Sequence, residues 1–171
     1  MRGQFVRSVV LGVGVLLFAS SGRLFGQESS SALIGTWRLV TWESRAGAGE
    51  ISYPFGETPV GVLTYDSRGR MSAQLMRRNR PAFKAADLFR GSPDEIKAAF
   101  EGFVAYFGTY TADQRTSTVT HHVEGSSFPN YVGTDLKRSF TIVGDRLTLR
   151  TEPFTLGGET RMGVLVWERI D

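Results

Sequence analysis

From Trp37 to Trp167 the chain alternates apolar and polar residues over short runs that tight turns separate. This period of two is typical of β-strands with one buried face. About eight runs with short connections favour an antiparallel meander over parallel β-α-β units. These runs predict a mainly β fold. An antiparallel sheet of this size normally removes its exposed edges by closing into a barrel or by pairing into a sandwich. The runs are 37–42, 60–65, 71–76, 106–111, 117–123, 136–142, 146–151 and 162–167.

One helix interrupts this series of strands, from Pro93 to about residue 105. Ser92 is a suitable N-cap, Pro93 occupies the first helical position and Glu95 completes a capping box. An apolar stripe at helical spacing follows and predicts that the helix packs on the sheet. The stripe consists of Ile96, Ala99, Phe100 and Phe103.

Residues 1–26 predict a secretory signal peptide. Arg2 and Arg7 precede an apolar run at 9–19, which is shorter than the ~20 residues that a comfortable bilayer span needs. Cleavage after Ser21 and cleavage after Gly26 both fit, and an uncleaved N-terminal anchor is the alternative. We therefore expect a periplasmic or secreted protein with no membrane span after cleavage. Residues 27–32 then form a linker and 33–171 a single domain.

The composition narrows the classes of function. The chain contains no cysteine, which excludes disulfides, thiolate metal ligands and a cysteine nucleophile. Its net charge of +3 comes from three arginines within residues 1–26. The remainder is balanced, so we expect no nucleic-acid partner.

A series of short motifs then follows in a fixed order along residues 33–169. They are a Gly-x-Trp motif within 34–37, and the stretches 53–56, 59–65, 69–75, 106–110, 118–123, Asn130 with Gly133 and Thr134, and 165–169. In this order they resemble the lipocalin-like domains of bacteria and fungi. The resemblance implies a single antiparallel up-and-down β-barrel of about eight strands, open at one end. It also favours Trp37 as a plug at the closed end, beneath a cation such as Arg169.

Tyr106, Tyr110 and His121 are candidate ligand contacts. The two tyrosines share one strand face, and Gly108 leaves room between them. Phenols along a cavity suit a largely apolar ligand with one or two polar atoms, whereas the alternative is a barrel filled by its own side chains. If Val119 and Val123 face inward, His121 does too, as a ligand contact, a proton shuttle or a hydrogen-bonded wall residue.

Gln74 and Arg138 complete the candidate ligand-binding set. Gln74 lies opposite to Met71 and Leu75, and the sequence leaves open which of these faces is internal. Arg138 alternates in step with Leu136, so it lies either at the rim or inside. An internal guanidinium needs an acidic partner or an anionic ligand group. The basic residues of 77–91 form either a ligand-attracting rim or a solvated loop.

Catalytic and metal-binding signatures are missing. His121 and His122 point to opposite faces of one strand, and neither a zinc-binding motif, a nucleophile elbow nor a phosphate-binding loop is present. We expect no metal, no cofactor and no catalytic residue. The leading hypothesis is a non-catalytic binder of a small hydrophobic or amphipathic molecule. The alternatives are a cofactor-independent isomerase or cyclase with His121 or a tyrosine as proton shuttle, and a structural module with a filled barrel.

Overall fold

The computed structural model describes residues 30–47 and 49–170, so the predicted signal peptide lies outside the described residues. Within these ranges the chain forms ten β-strands, a single helical turn α1 (Ser30–Leu33), a helix α2 (Pro93–Glu101) and a 3-10 turn (Pro129–Tyr131). The strands are β1 (Gly35–Ala46), β2 (Ile51–Ser52), β3 (Val60–Tyr65), β4 (Arg70–Met76), β5 (Phe103–Asp113), β6 (Thr118–Ser126), β7 (Asp135–Val143), β8 (Arg146–Thr151), β9 (Phe154–Leu156) and β10 (Glu159–Arg169).

Pairing between β1 and β10 closes the sheet into a barrel. The strands follow the order β2-β1-β3-β4-β5-β6-β7-β8-β10-β9, and β1 also pairs antiparallel with β10. Eight strands therefore form the closed barrel, while the short β2 and β9 extend it at the edge. The predicted mainly β, up-and-down barrel of about eight strands is confirmed.

Trp37 closes one end of the barrel, which we call the closed end. Its ring is fully buried, and its Nε1 donates to the carbonyl of Leu33 at 2.9 Å. The Arg169 guanidinium lies 4.0 Å from the ring centroid and donates to the carbonyls of Ile34 and Ala32. A cation over an indole contributes ~0.5–2 kcal/mol. The prediction that Trp37 packs beneath Arg169 is confirmed.

The chain around Leu33 completes the closed end. The helical turn α1 spans Ser30–Leu33, at the predicted boundary between linker and domain, and β1 begins at Gly35. Leu33 is fully buried, so this turn is part of the packed closed end. The Leu33 carbonyl accepts a hydrogen bond from Trp37, four residues later, and this bond fixes the turn.

Helix α2 begins as predicted and ends earlier. Ser92 caps it, its hydroxyl accepts from the Glu95 N–H, and the Glu95 side chain accepts from the Ser92 N–H. The predicted end at about residue 105 is wrong, because Gly102 caps the helix and Phe103 pairs with Met76 in the barrel. Packing on the sheet is also not observed: none of the helix residues is buried.

Gly108 permits a close approach of β5 and β6 beside the barrel interior. Phe107 pairs with Gly125 and Gly108 with Val123, so Glu124 is an extra residue in β6. A Cβ added at Gly108 would lie 2.0 Å from the carbonyl oxygen of His122. Since a backbone oxygen cannot move aside cheaply, a side chain at this position would separate the two strands.

Gly108→Ala should therefore lower the free energy of unfolding by at least about 2 kcal/mol, measured by urea denaturation. Gly47→Ala is the matched control, because a Cβ there meets nothing within 4 Å and should change stability by less than about 0.5 kcal/mol. Equal stability of the two variants would contradict the close approach.

Candidate functional site

The end of the barrel opposite Trp37 is hollow, and we call it the open end. It contains a cavity of about 800 Å³. Its wall carries many aromatic side chains, and the residues before β3, helix α2 and the segment around β9 surround the mouth. The aromatic lining residues are Trp42, Tyr53, Phe55, Phe100, Phe103, Tyr106, Phe128, Tyr131 and Phe154. Of the two alternatives that the sequence leaves open, a hollow and a filled barrel, this end of the structure is hollow.

Arg138 is the least exposed charged residue of the described cavity wall. It lies on the inward face of β7 with Leu136 and Phe140, and this face is half-buried throughout. The other charged lining residues are exposed. They are Arg77, Glu101, Asp135, Lys137 and Glu152. The structure thus places the Arg138 guanidinium inside the barrel. An internal guanidinium needs an acidic partner or an anionic ligand group.

A chain of hydrogen bonds joins Tyr65, His121 and Tyr106 at the inner end of the cavity. Tyr65 Oη lies 2.6 Å from His121 Nε2, and Tyr106 Oη lies 3.1 Å from His121 Nδ1. Arg138 Nη2 donates to Tyr106 Oη at 3.4 Å. Tyr106 and Arg138 line the cavity, whereas Tyr65 and His121 lie behind them and are almost fully buried.

Burial keeps the Tyr65–His121 pair uncharged. Removal from water, with smaller contributions from Arg138 and His122, lowers the pKa of His121 well below its ordinary value of 6.5. Burial and the neighbouring Tyr106 raise the pKa of Tyr65 well above 10.0. At neutral pH one ring nitrogen of His121 therefore donates a hydrogen bond and the other accepts one.

The remaining two candidate residues do not reach the cavity. Tyr110 faces inward but lies deeper, where its hydroxyl donates to the Asp66 carbonyl at 2.9 Å and its ring packs against Tyr65. Gln74 lies on the outer face of β4, because Met71, Ala73 and Leu75 are the buried residues of that strand. Of the five predicted ligand contacts, Tyr106 and Arg138 line the cavity, whereas Gln74, Tyr110 and His121 do not.

Sequence reasoning missed Tyr65, Trp42 and Tyr131. Tyr65 continues the inward alternation of Leu63 in β3, so its direction was readable from the period of two. Trp42 lies beyond the irregular register between Leu39 and Thr41, which shifts the alternation and hides its position. Tyr131 lies in a turn and packs edge-on to Tyr106, with 6.3 Å between the ring centroids. No local sequence pattern predicts this contact.

Two further features bear on function. Across 30–47 and 49–170, no set of three or more histidine, aspartate or glutamate side chains is grouped to hold a metal ion. In the same part of the chain no helix is both long and apolar enough to cross a membrane.

The neutral state of His121 makes stability depend on pH. Below about pH 6.5 the unfolded chain binds a proton at His121 that the folded chain does not, so unfolding becomes easier as the pH falls. Between pH 7 and pH 5.5 this amounts to about 1 kcal/mol. His121→Gln should remove this part of the pH dependence in urea denaturation.

His122→Gln is its control, since His122 lies outside the barrel, bonded to Asp135 and Thr111. That variant should keep the part of the pH dependence of stability that comes from His121. An unchanged slope in His121→Gln would show that His121 binds protons equally in the folded and unfolded states, which would contradict its burial in the neutral form.

Several known proteins are similar to this chain. The model of the lipocalin-like domain family matches residues 34–170. The 4'-hydroxy-3'-methoxypropiophenone carrier protein ppsC of Aspergillus oryzae is 35% identical in an alignment of 107 residues that covers 58% of this chain and 96% of that protein. A solved structure of a lipocalin-like protein from Bacteroides uniformis covers 81% of this chain and 98% of its own, with 14% identity and a TM-score of 0.41. With the family match over nearly the whole described barrel, this chain belongs to the lipocalin-like domain family.

Proposed function

We propose that this protein binds and carries a small, mainly apolar aromatic molecule in the open end of its barrel, without transforming it. The observation that carries the proposal is the aromatic cavity of about 800 Å³ that ends on two polar groups, Tyr106 and Arg138. Pockets for small ligands typically measure ~300–1,000 Å³ and combine an apolar wall with a few placed polar groups.

The related carrier supports the aromatic part of this proposal. Its named ligand, 4'-hydroxy-3'-methoxypropiophenone, combines a benzene ring with a ketone, a phenol and a methoxy group. Aromatic side chains favour such a ring through edge and face contacts, for which Trp42 and Phe55 already form a T-shaped pair at 4.6 Å. The donors at the inner end complement its oxygen atoms.

The geometry around His121 favours carriage over catalysis. Both ring nitrogens of His121 are occupied by tyrosine hydroxyls, and the ring is fully buried behind the cavity. A proton shuttle must reach the reacting atom within hydrogen-bond distance. An isomerase or cyclase at this site would therefore act through Tyr106, and turnover is the outcome that would establish it.

Binding is tested with N-phenyl-1-naphthylamine, a neutral aromatic probe, and with 4'-hydroxy-3'-methoxypropiophenone. We expect one saturable site for both in isothermal titration calorimetry, mutual competition, and recovery of the ketone unchanged by liquid chromatography. Trp42 lines the cavity while Trp37 and Trp167 are buried in the core. Quenching of tryptophan fluorescence by the ketone should thus be largely lost in Trp42→Phe, which still binds by calorimetry.

Two outcomes would overturn this proposal. The absence of saturable binding for both compounds would reject the cavity as a ligand site. If the wild type converted the ketone and Tyr106→Phe did not, the protein would be an enzyme and not a carrier.

Export is the second part of the proposal, and the N-terminal pattern supports it: two arginines, an apolar run and small residues. We expect the chain recovered from the periplasm or the culture medium to begin at Gly22 or Gln27 in mass spectrometry, below the full 18.9 kDa. Replacement of Arg2 and Arg7 by glutamate should increase the full-length chain in the cell. Full-length wild-type chain in the cytosol would reject export, and in the membrane fraction it would indicate the uncleaved anchor.

A further inference from the structure

Arg138 is a half-buried cation without a charged partner in the described part of the chain. No carboxylate oxygen within 30–47 and 49–170 forms an ion pair with it. Its hydrogen bonds there are long, 3.5 Å to the Lys137 carbonyl and 3.4 Å to Tyr106 Oη. A guanidinium carries five N–H donors, and taking it out of water is unfavourable unless they are bonded. Most of these donors remain available to a molecule in the cavity.

The direction of the neighbouring hydrogen bonds follows from Tyr65. Its hydroxyl is almost fully buried, and among the described residues His121 Nε2 is its hydrogen-bond partner. If Nε2 carried the proton, the Tyr65 O–H would be buried without an acceptor, which is costly. We therefore assign Tyr65 as donor to Nε2, so that the proton of His121 is on Nδ1 and is donated to Tyr106 Oη.

This assignment leaves the Tyr106 proton free for the cavity. Tyr106 Oη then accepts from both His121 Nδ1 and Arg138, so its own O–H points away from both. Tyr106 and Arg138 both line the inner end of the cavity. Two donors, one of them charged, thus converge on the position of a single acceptor.

Building on the proposed function, we propose that the ligand carries an anionic oxygen, a carboxylate or a phenolate, and that Arg138 and the Tyr106 hydroxyl bind it. The apolar body of the ligand extends from there toward the mouth. Tyr65 and His121 act as positioning residues, since they touch Tyr106 and not the ligand. Charge-assisted hydrogen bonds of this kind are short and strong, and guanidinium groups suit planar anions.

The experiment compares two fluorescent probes that differ by one charged group. 1-Anilinonaphthalene-8-sulfonate is anionic, and N-phenyl-1-naphthylamine is the same molecule without the sulfonate. We expect the full-length protein to bind the anionic probe about tenfold more tightly or better. Arg138→Gln should weaken the affinity for the anionic probe by about 10- to 100-fold and change the affinity for the neutral probe by less than about threefold.

Tyr106→Phe and Tyr65→Phe test the two tyrosines. Each substitution should weaken the affinity for the anionic probe by about three- to tenfold and leave the affinity for the neutral probe unchanged. Tyr65→Phe is the more specific test of positioning, because Tyr65 does not line the cavity and a merely structural effect would weaken both probes alike. The ¹⁵N chemical shifts of His121 should show the proton on Nδ1 in the wild type.

Arg77→Gln is the matched control. Arg77 lines the mouth of the same cavity and carries the same charge, but it is exposed and its guanidinium donates to the Pro54 carbonyl at 3.1 Å. Its replacement should change the affinity for either probe by less than about twofold, since exposed charges interact weakly through water. An effect of Arg77→Gln as large as that of Arg138→Gln would overturn the site in favour of general attraction by the rim.

The outcomes separate this inference from the proposed function. Equal binding of both probes, unaffected by Arg138→Gln, would overturn the anion site and leave the carrier proposal standing. Failure of both probes and of the ketone to bind would overturn both proposals. Proton assignment to Nε2 would overturn the positioning role of Tyr65.

Two further ligand series identify the anion. Tighter binding of 4-propylbenzoate than of 4-propylbenzamide, lost in Arg138→Gln, indicates a carboxylate. An affinity for 4'-hydroxy-3'-methoxypropiophenone that rises as its phenol ionises, again only with Arg138 present, indicates a phenolate. Dependence on Arg138 in neither series would reject both anions.

Discussion

Hydrogen bonding between β1 and β10 is the constraint on which the rest of the structure depends. It runs from Trp37–Arg169 to Ala46–Arg161 and joins the first and last long strands. Without it the antiparallel sheet would keep two open edges, and the inward side chains would have no enclosed space. Because both strands are long, the same pairing reaches from the plug at Trp37 to the rim of the cavity. Closure and cavity are consequences of one interaction.

The two ends of the barrel differ because their side chains fill space differently. At the closed end Trp37, Trp167 and Leu147 pack into a continuous core with almost no exposure. At the open end the inner face of β7 is only half-buried, and helix α2 stands at the mouth with none of its residues buried. The exposed Phe100 of that helix borders the cavity. Phe100, which belongs to the apolar stripe that predicts packing on the sheet, thus lines the cavity instead.

The polar groups lie where the core ends and the cavity begins. Tyr65 and His121 are bonded to each other in the buried interior, where removal from water keeps both neutral, whereas Tyr106 and Arg138 also line the cavity. A buried polar chain of this kind is favourable when every member has a partner. Within residues 30–47 and 49–170 the Tyr106 hydroxyl has no acceptor for its proton, and the proposed ligand oxygen would accept it.

The sequence by itself determined the strand order, the hairpin turns and the cap of the helix. These features depend on local periodicity and on single residues, such as Ser92 at the N-cap. It also indicated the inward direction of His121, because alternation with Val119 and Val123 needs no partner strand. Only the tertiary structure decided that Gln74 points outward, that the helix ends at Glu101 and that Tyr65 meets His121. Each of these depends on closure and on pairing between distant strands, which bring together residues 56 positions apart and override local propensity.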